Sequence, residues 1–288
     1  MSSNSFPRTF PADGPIAASI SNGSGDVVIT AADVPDVTVD LRPGTAGDPD
    51  GLELVERATV AYHDGSLRIE IPERRGLQLS FGRGPSVDVF VTLPTDSTIS
   101  TRTGSGDVRT GGQLGSVDAE AGSGDVTIDA CGDARLRAGS GALHVGAAAS
   151  VTARTGSGDV RVERADGDVD VEVGSGDVEL GTTASDVRVT AASGDVRLGS
   201  MGGEVRLRTA SGDIDVRRVV EGDLRTRSAS GDIVIGIAEG TAAQLDVSSI
   251  SGRVRSELER TDAPADSDRT AVVTSQSVSG SITLIRTH

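Results

Sequence analysis

One five-residue string recurs along this chain at a nearly constant interval, and few folds can accommodate that. Gly-Ser-Gly-Asp-Val stands at 104–108, 122–126, 156–160 and 174–178, then continues as Ala-Ser-Gly-Asp-Val at 192–196 and Ala-Ser-Gly-Asp-Ile at 210–214 and 229–233. Degenerate copies are Ser140-Gly141-Ala142, Ser251-Gly252-Arg253 and Ser279-Gly280-Ser281. The central glycines (Gly106, Gly124, Gly141, Gly158, Gly176, Gly194, Gly212, Gly231, Gly252 and Gly280) are spaced by 18, 17, 17, 18, 18, 18, 19, 21 and 28 residues. Self-similarity at such a period marks a stacked-repeat architecture.

A weaker turn lies halfway between these, at Gly115-Ser116-Val117, Gly132-Asp133-Ala134, Gly167-Asp168-Val169, Ser185-Asp186-Val187, Gly203-Glu204-Val205 and Gly222-Asp223-Leu224. Each repeat thus holds two turns and two short runs of apolar–polar alternation, the period of a strand with one buried face. The inward pairs after the strong turn run from Val108/Thr110 and Val126/Ile128 to Ile214/Val216 and Ile233/Ile235. Those after the weak turn include Val169/Val171, Val187/Val189, Val205/Leu207 and Leu245/Val247. Stacking equivalent strands in parallel at about 4.8 Å places each inward Val on another and satisfies the backbone between coils. Glycine and β-branched residues in every half-repeat argue against helices. The spacing therefore predicts an all-β parallel β-helix, or β-solenoid, with coils of about 18 residues and two strands per coil. Ten such coils would form a rod roughly 48 Å long.

The expected organisation has four parts. Residues 1–14 are a flexible tail, and 15–96 an irregular N-terminal cap with the first coils. Residues 97–257 form the regular solenoid, and 258–288 a polar insertion followed by a closing coil. Ser24-Gly25-Asp26-Val27 is already a repeat copy, while 43–52 and 73–85 read as Gly-rich loops. The aromatic residues (Phe6, Phe10, Tyr62, Phe81 and Phe90) all lie at or before position 90, which suits a cap plugging one end of the core. The C-terminal Ile282-Thr283-Leu284-Ile285 is expected to close the other end, beyond the polar stretch at 262–268.

Composition bounds the function. The formal net charge is −16 and every basic residue is arginine, which disfavours nucleic acid and anionic membrane surfaces as partners. The absence of rings after residue 90 removes stacking platforms for single strands. No apolar run is long enough for a membrane span, and the N-terminus has no export-signal pattern, so a cytoplasmic location is expected. Cys131 is alone and His63, His144 and His288 have no evident partners, so neither a disulfide, a nucleophilic dyad nor a cofactor site is indicated. Arg206/Arg208 and Arg217/Arg218 lie among acids and are expected to form cross-coil ion pairs.

The column Asp107, Asp125, Asp159, Asp177, Asp195, Asp213 and Asp232 is the most suggestive chemistry. Carboxylates at coil spacing repel by roughly 1 kcal/mol in water. The favoured reading is that each accepts hydrogen bonds from the N–H groups of its own turn. The alternative is a metal site like that of calcium β-rolls, whose half-period of about nine residues it shares. Here, however, Asp follows Gly directly, and Ala142, Arg253 and Ser281 interrupt the column. A glycan-processing β-helix enzyme would need a local acid cluster on one face, whereas these acids are spread evenly.

The repeated Gly-Ser-Gly-Asp-Val, with Ser-Gly-Asp-Val-Val-Ile near the N-terminus, resembles the β-strand-repeat family of unknown function called "putative adhesins". The resemblance runs from about residue 15 to 286, and the Lys-free composition is similar to that of actinobacterial members. It implies no catalytic residues, and its name implies surface location, which the missing export signal does not match. The expected function is a non-catalytic scaffold or adhesin-like module. It would meet a protein partner, or a second copy of itself, through its faces or ends, as uncapped strand edges permit.

Overall fold

The computed structural model describes residues 6–72, 84–258 and 269–287. The described chain is mostly strand, with one short helix, and divides into two compact units. Unit 1 (Met1–Val145) contains β1 (Phe6–Pro11), β2 (Ala17–Asn22), β3 (Val27–Ala32), β4 (Asp36–Pro43), α1 (Pro49–Arg57), β5 (Thr59–His63), β6 (Ser66–Glu70), β7 (Val87–Pro94), β8 (Thr98–Thr103), β9 (Val108–Gly111), β10 (Gln113–Ala121) and β11 (Val126–Ala138). The division falls within β12 (Leu143–Ser157). Unit 2 (Gly146–His288) continues with β13 (Val160–Ala165), β14 (Val169–Ser175), β15 (Val178–Thr183), β16 (Val187–Ser193), β17 (Val196–Met201), β18 (Glu204–Ser211), β19 (Ile214–Val219), β20 (Gly222–Ser230), β21 (Ile233–Ala238), β22 (Thr241–Ser249), β23 (Val254–Ser256), β24 (Arg269–Ser279) and β25 (Ile282–Thr287).

The strands pair as the repeat period requires. In unit 2, β14, β16 and β18 run parallel with Val169 opposite Val187 and Val187 opposite Val205. On the other side of each coil, β13, β15, β17 and β19 place Val160, Val178, Val196 and Ile214 in register. These residues are buried to 2% exposure or less, and the polar residues between them face outward. A core built mainly from Val, Leu, Ile and Ala, with no buried ring among the described residues, is thin, which the alternation of one buried and one wet face per strand dictates.

Glycine holds the turns together by close approach. A Cβ built on Gly124 would lie 2.0 Å from the Gly106 carbonyl oxygen, and one on Gly212 would lie 2.0 Å from that of Gly194. Gly212 also has φ +143°, where L side chains are strained.

In each unit, the order of coils in space departs at one place from their order in the chain. In unit 1, β2 is flanked by β6 and β8, and β3 by β7 and β9, so the first coil of the sequence lies inside the second. In unit 2, β24 lies between β20 and β22, and β25 between β21 and β23. The expectation that Ile282–Ile285 closes the structure is therefore overturned. That segment is the penultimate coil, and β22 with β23 is outermost. The physical reason lies in the side chains. Ile282 and Leu284 supply two large apolar groups buried to 1% exposure or less, whereas the equivalent β23 positions are Val254 and Ser256. Burying the more apolar coil on both sides removes more apolar area from water.

Two further expectations change. The 43–52 segment is not wholly a loop. Asp48 caps α1, accepting from the N–H groups of Asp50 (3.2 Å) and Gly51 (3.1 Å), and Pro49 occupies the first turn. Leu54 and Val55 of α1 are buried, so the helix packs its apolar side on β4 and β7. The aromatic residues instead lie at the margin. Phe10 stacks on Tyr62 with centroids 5.3 Å apart, and Arg42 lies 4.6 Å over the Phe90 ring. The outer edge of β7 is taken by antiparallel β4, and that of β4 by β1, which carries Pro7 and Pro11. Prolines on an edge strand discourage further pairing. The polar insertion at 262–268, most of the 73–85 loop and Phe81 lie outside the described residues.

Candidate functional site

The aspartates form a hydrogen-bonded ladder between coils. In unit 2, Asp177 N–H donates to Asp159 Oδ1 at 2.9 Å, Asp195 to Asp177 at 2.9 Å, Asp213 to Asp195 at 3.0 Å and Asp232 to Asp213 at 2.7 Å. Ser281 N–H then donates to Asp232 Oδ1 at 2.7 Å. In unit 1, Asp26 N–H donates to Asp88 Oδ1 (3.0 Å), Asp107 to Asp26 (3.1 Å), Asp125 to Asp107 (2.9 Å) and Ala142 to Asp125 (2.9 Å). The partner is thus the next coil's amide rather than the aspartate's own turn, as first expected. Ala142 and Ser281 end the two runs as donors that carry no carboxylate of their own.

The reason is the geometry of the turn. The residue after each aspartate donates to the carbonyl of the equivalent position in the next coil, as Val178 does to Asp195, Val196 to Asp213 and Val126 to Ala142. The next Asp N–H then has no carbonyl opposite it, and the carboxylate supplies the missing acceptor. Sequence reading missed Asp26 and Asp88 as members. Asp26 was visible in its Ser-Gly-Asp-Val string, but Asp88 has no Gly before it and its place depends on β7 lying over β3.

Arginines relieve the repulsion along the column. Arg109 bridges Asp26 (3.0 Å) and Asp107 (2.5 Å), and Arg197 bridges Asp177 (3.3 Å) and Asp195 (2.7 Å). Hydrogen bonding to Asp26 raises the Arg109 pKa above its ordinary value, and Asp177 does the same for Arg197. With Oδ1 held by an amide and several Oδ2 atoms held by guanidinium, the column has its structural partners already. Among the described residues no group of three or more His, Cys, Asp or Glu is placed to hold a metal ion. Asp195→Ala, which strips acceptors from the Asp213 amide and from Arg197, is expected to destabilise by about 2 kcal/mol. The wild-type thermal melt is expected to be the same in EDTA and in millimolar calcium. A rise of many degrees with calcium would make the column an ion site.

The remaining candidates are not brought together. Cys131 is buried in β11 opposite Leu114, and burial pushes its thiol up to about 11, with Asp133 adding to the shift. The nucleophilic thiolate is therefore scarce at neutral pH. His63 ends β5 beside Asp64 of the β5–β6 turn, and both are highly exposed. His144 is half-buried between inward Leu143 and Val145, and His288 lies outside the described residues. Arg206 pairs within its own strand with Glu204, while Arg225 reaches both Asp223 (2.7 Å) and Glu204 (3.7 Å). Arg208 makes no ion pair among the described residues, so the cross-coil pairing expected of Arg206 and Arg208 is seen instead at Arg225.

The surface feature that stands out lies at the outer coil of unit 2. Six large apolar residues are exposed among the described residues, and five of them (Leu245, Ile250, Val254, Val272 and Val278) lie on or beside β22, β23 and β24. Leu245, expected to be inward and buried, is 38% exposed because β22 pairs only with β24. Among the described residues, no strand pairs with the other edge of β22 or of β23. No described helix is long and apolar enough to cross a membrane.

Residues 17–288 match the family described as Toastrack DUF4097. No curated protein matches the chain. Similar solved structures include a "putative adhesin" from Bacteroides fragilis, 14% identical, covering 99% of this chain and 98% of that one with a TM-score of 0.41. Another "putative adhesin", from Parabacteroides merdae, is 10% identical over 99% and 96% of the two chains, with a TM-score of 0.44. A "putative lipid binding protein" from Parabacteroides distasonis is 12% identical over 99% and 97%, with a TM-score of 0.35.

Proposed function

The chain belongs to the Toastrack DUF4097 family, and we propose that it is a non-catalytic interaction module, a β-solenoid with two strands per coil that associates with a second copy of itself through the outer edge of β22 and β23. The observation that carries this reading is the coincidence of an unpaired strand edge with five of the six exposed large apolar side chains. Unpaired strand edges template pairing with another chain unless they are short, proline-bearing or covered. β22 is nine residues long and contains no proline, in contrast to β1 of unit 1.

The footprint is adequate for a modest dimer. β22 spans about 30 Å at roughly 3.3 Å per residue, and a two-sheet coil with its side chains is about 20 Å wide. That gives about 600 Å² per copy, or about 1,200 Å² in total, at the lower bound of stable interfaces. A two-fold axis would set β22 antiparallel to its mate and close the contact at two copies. Size-exclusion chromatography with light scattering is expected to show a concentration-dependent dimer for the wild type. Leu245→Lys/Val254→Lys, which places charge on the exposed end row, is expected to give a folded monomer. A wild type that remains monomeric at high concentration would remove this reading.

A further inference from the structure

Across most outward faces, this chain neutralises charge by alternating it between coils. In unit 1, Arg102, Glu120 and Arg137 lie in register, with Arg102 3.0 Å from Glu120. In unit 2, Arg161, Glu179, Arg197 and Asp215 alternate along β13, β15, β17 and β19, with Arg161 2.7 Å from Glu179. The opposite sheet of the same coils breaks the rule. There Arg188, Arg206 and Arg225 stand directly opposite one another on β16, β18 and β20, and Arg208 faces Arg227 in the next outward column. Like charges directly opposite destabilise a sheet. Glu204 and Asp223 relieve Arg206 and Arg225. Arg188, Arg208 and Arg227 are exposed and make no ion pair or hydrogen bond with the described residues. Arg188 faces Asp170 on its other side, so Arg208 and Arg227 are the pair of guanidinium groups left without a facing acid on this face of a chain whose net charge is −16.

We infer that this arginine face of β16, β18 and β20 docks an extended acidic segment of a partner protein, with carboxylates at alternate positions. Three features select that occupant. The planar guanidinium fork matches a carboxylate with two parallel hydrogen bonds. Arg206 and Arg208, like Arg225 and Arg227, are two residues apart on one strand, about 6.7 Å, which is the spacing of same-side residues in an extended peptide. The strip is also narrow. A column of acids, Asp168, Asp186, Glu204 and Asp223, borders it on one side, and exposed Ala192, Ala210 and Ala229 on the other. The acids repel a broad polyanionic surface such as a bilayer or duplex, while the alanines leave a low shelf for a bound backbone. This surface is separate from the β22–β23 edge, and it does not depend on self-association.

The test is a fluorescence-anisotropy titration of the full chain with a labelled ten-residue peptide of alternating Glu and Ser. Binding is expected at low ionic strength and is expected to weaken as salt screens it. Arg208→Ser/Arg227→Ser is expected to bind at least ten-fold more weakly while melting at or above the wild-type temperature, because a repulsion has been removed. Arg217→Ser, on the opposite sheet, is expected to leave binding unchanged. An equally charged peptide with Glu at every third position is expected to bind several-fold more weakly. Absence of binding, equal loss with Arg217→Ser, indifference to glutamate spacing, or tighter binding of an equally charged sulfated oligosaccharide would each overturn the inference. Leu245→Lys/Val254→Lys should bind the peptide as the wild type does, so failure of self-association and failure of this site are read separately.

Discussion

Gly212→Ala is expected to destabilise unit 2 by about 4 kcal/mol, combining roughly 1–3 kcal/mol for a non-glycine residue at positive φ with a similar cost for overpacking. The new methyl carbon would sit 2.0 Å from the Gly194 carbonyl oxygen, and neither can retreat without opening the coil. For a domain of this size the loss corresponds to a fall of about 10 °C in melting temperature. Gly202→Ala supplies the control. Nothing lies within 4 Å of a Cβ built there and no positive φ is recorded, so circular-dichroism melts of that variant should stay within about 0.5 kcal/mol of the wild type. Equal effects from the two substitutions would mean that turn stacking is not what confines residue 212 to glycine.

Ile282→Ala should cost about 3–4 kcal/mol, near the upper part of the range for buried Ile-to-Ala changes. Its side chain is fully buried, with Ile233 in register on one side and Val254 on the other. Val254→Ala, at 49% exposure, should cost under about 1 kcal/mol. If the chain stacked its coils in sequence order, Ile282 would lie in the exposed end layer and the ranking would reverse. Urea denaturation of the two variants therefore reads the order of the last coils directly.

Much of the fold was legible because a stacked repeat obeys nearest-neighbour rules. The inward pairs Val187/Val189 and Val205/Leu207 are buried and lie in register, as their alternation implied. The same logic failed for Leu245/Val247, whose alternation is equally clear, because burial there needs a further coil that the described residues do not provide. At 43–52 the glycines concealed a helix that Asp48-Pro49 announces as a cap followed by a first-turn proline. The aspartate column was visible as a column, but its hydrogen-bond partners were not. Which amide a carboxylate reaches depends on the offset between coils.

The sequence by itself determined the period, the strand faces and the need for glycine at the strong turns. Each of these follows from local side-chain alternation and from a spacing that repeats. Only the tertiary structure decided which coil lies outermost in each unit and, among the described residues, which arginines remain without partners and which strand edge is left open. Successive coils carry nearly interchangeable strands, so several stacking orders satisfy the same local pattern. The choice among them rests on the total apolar area each order removes from water, a sum over the whole stack that no single repeat contains.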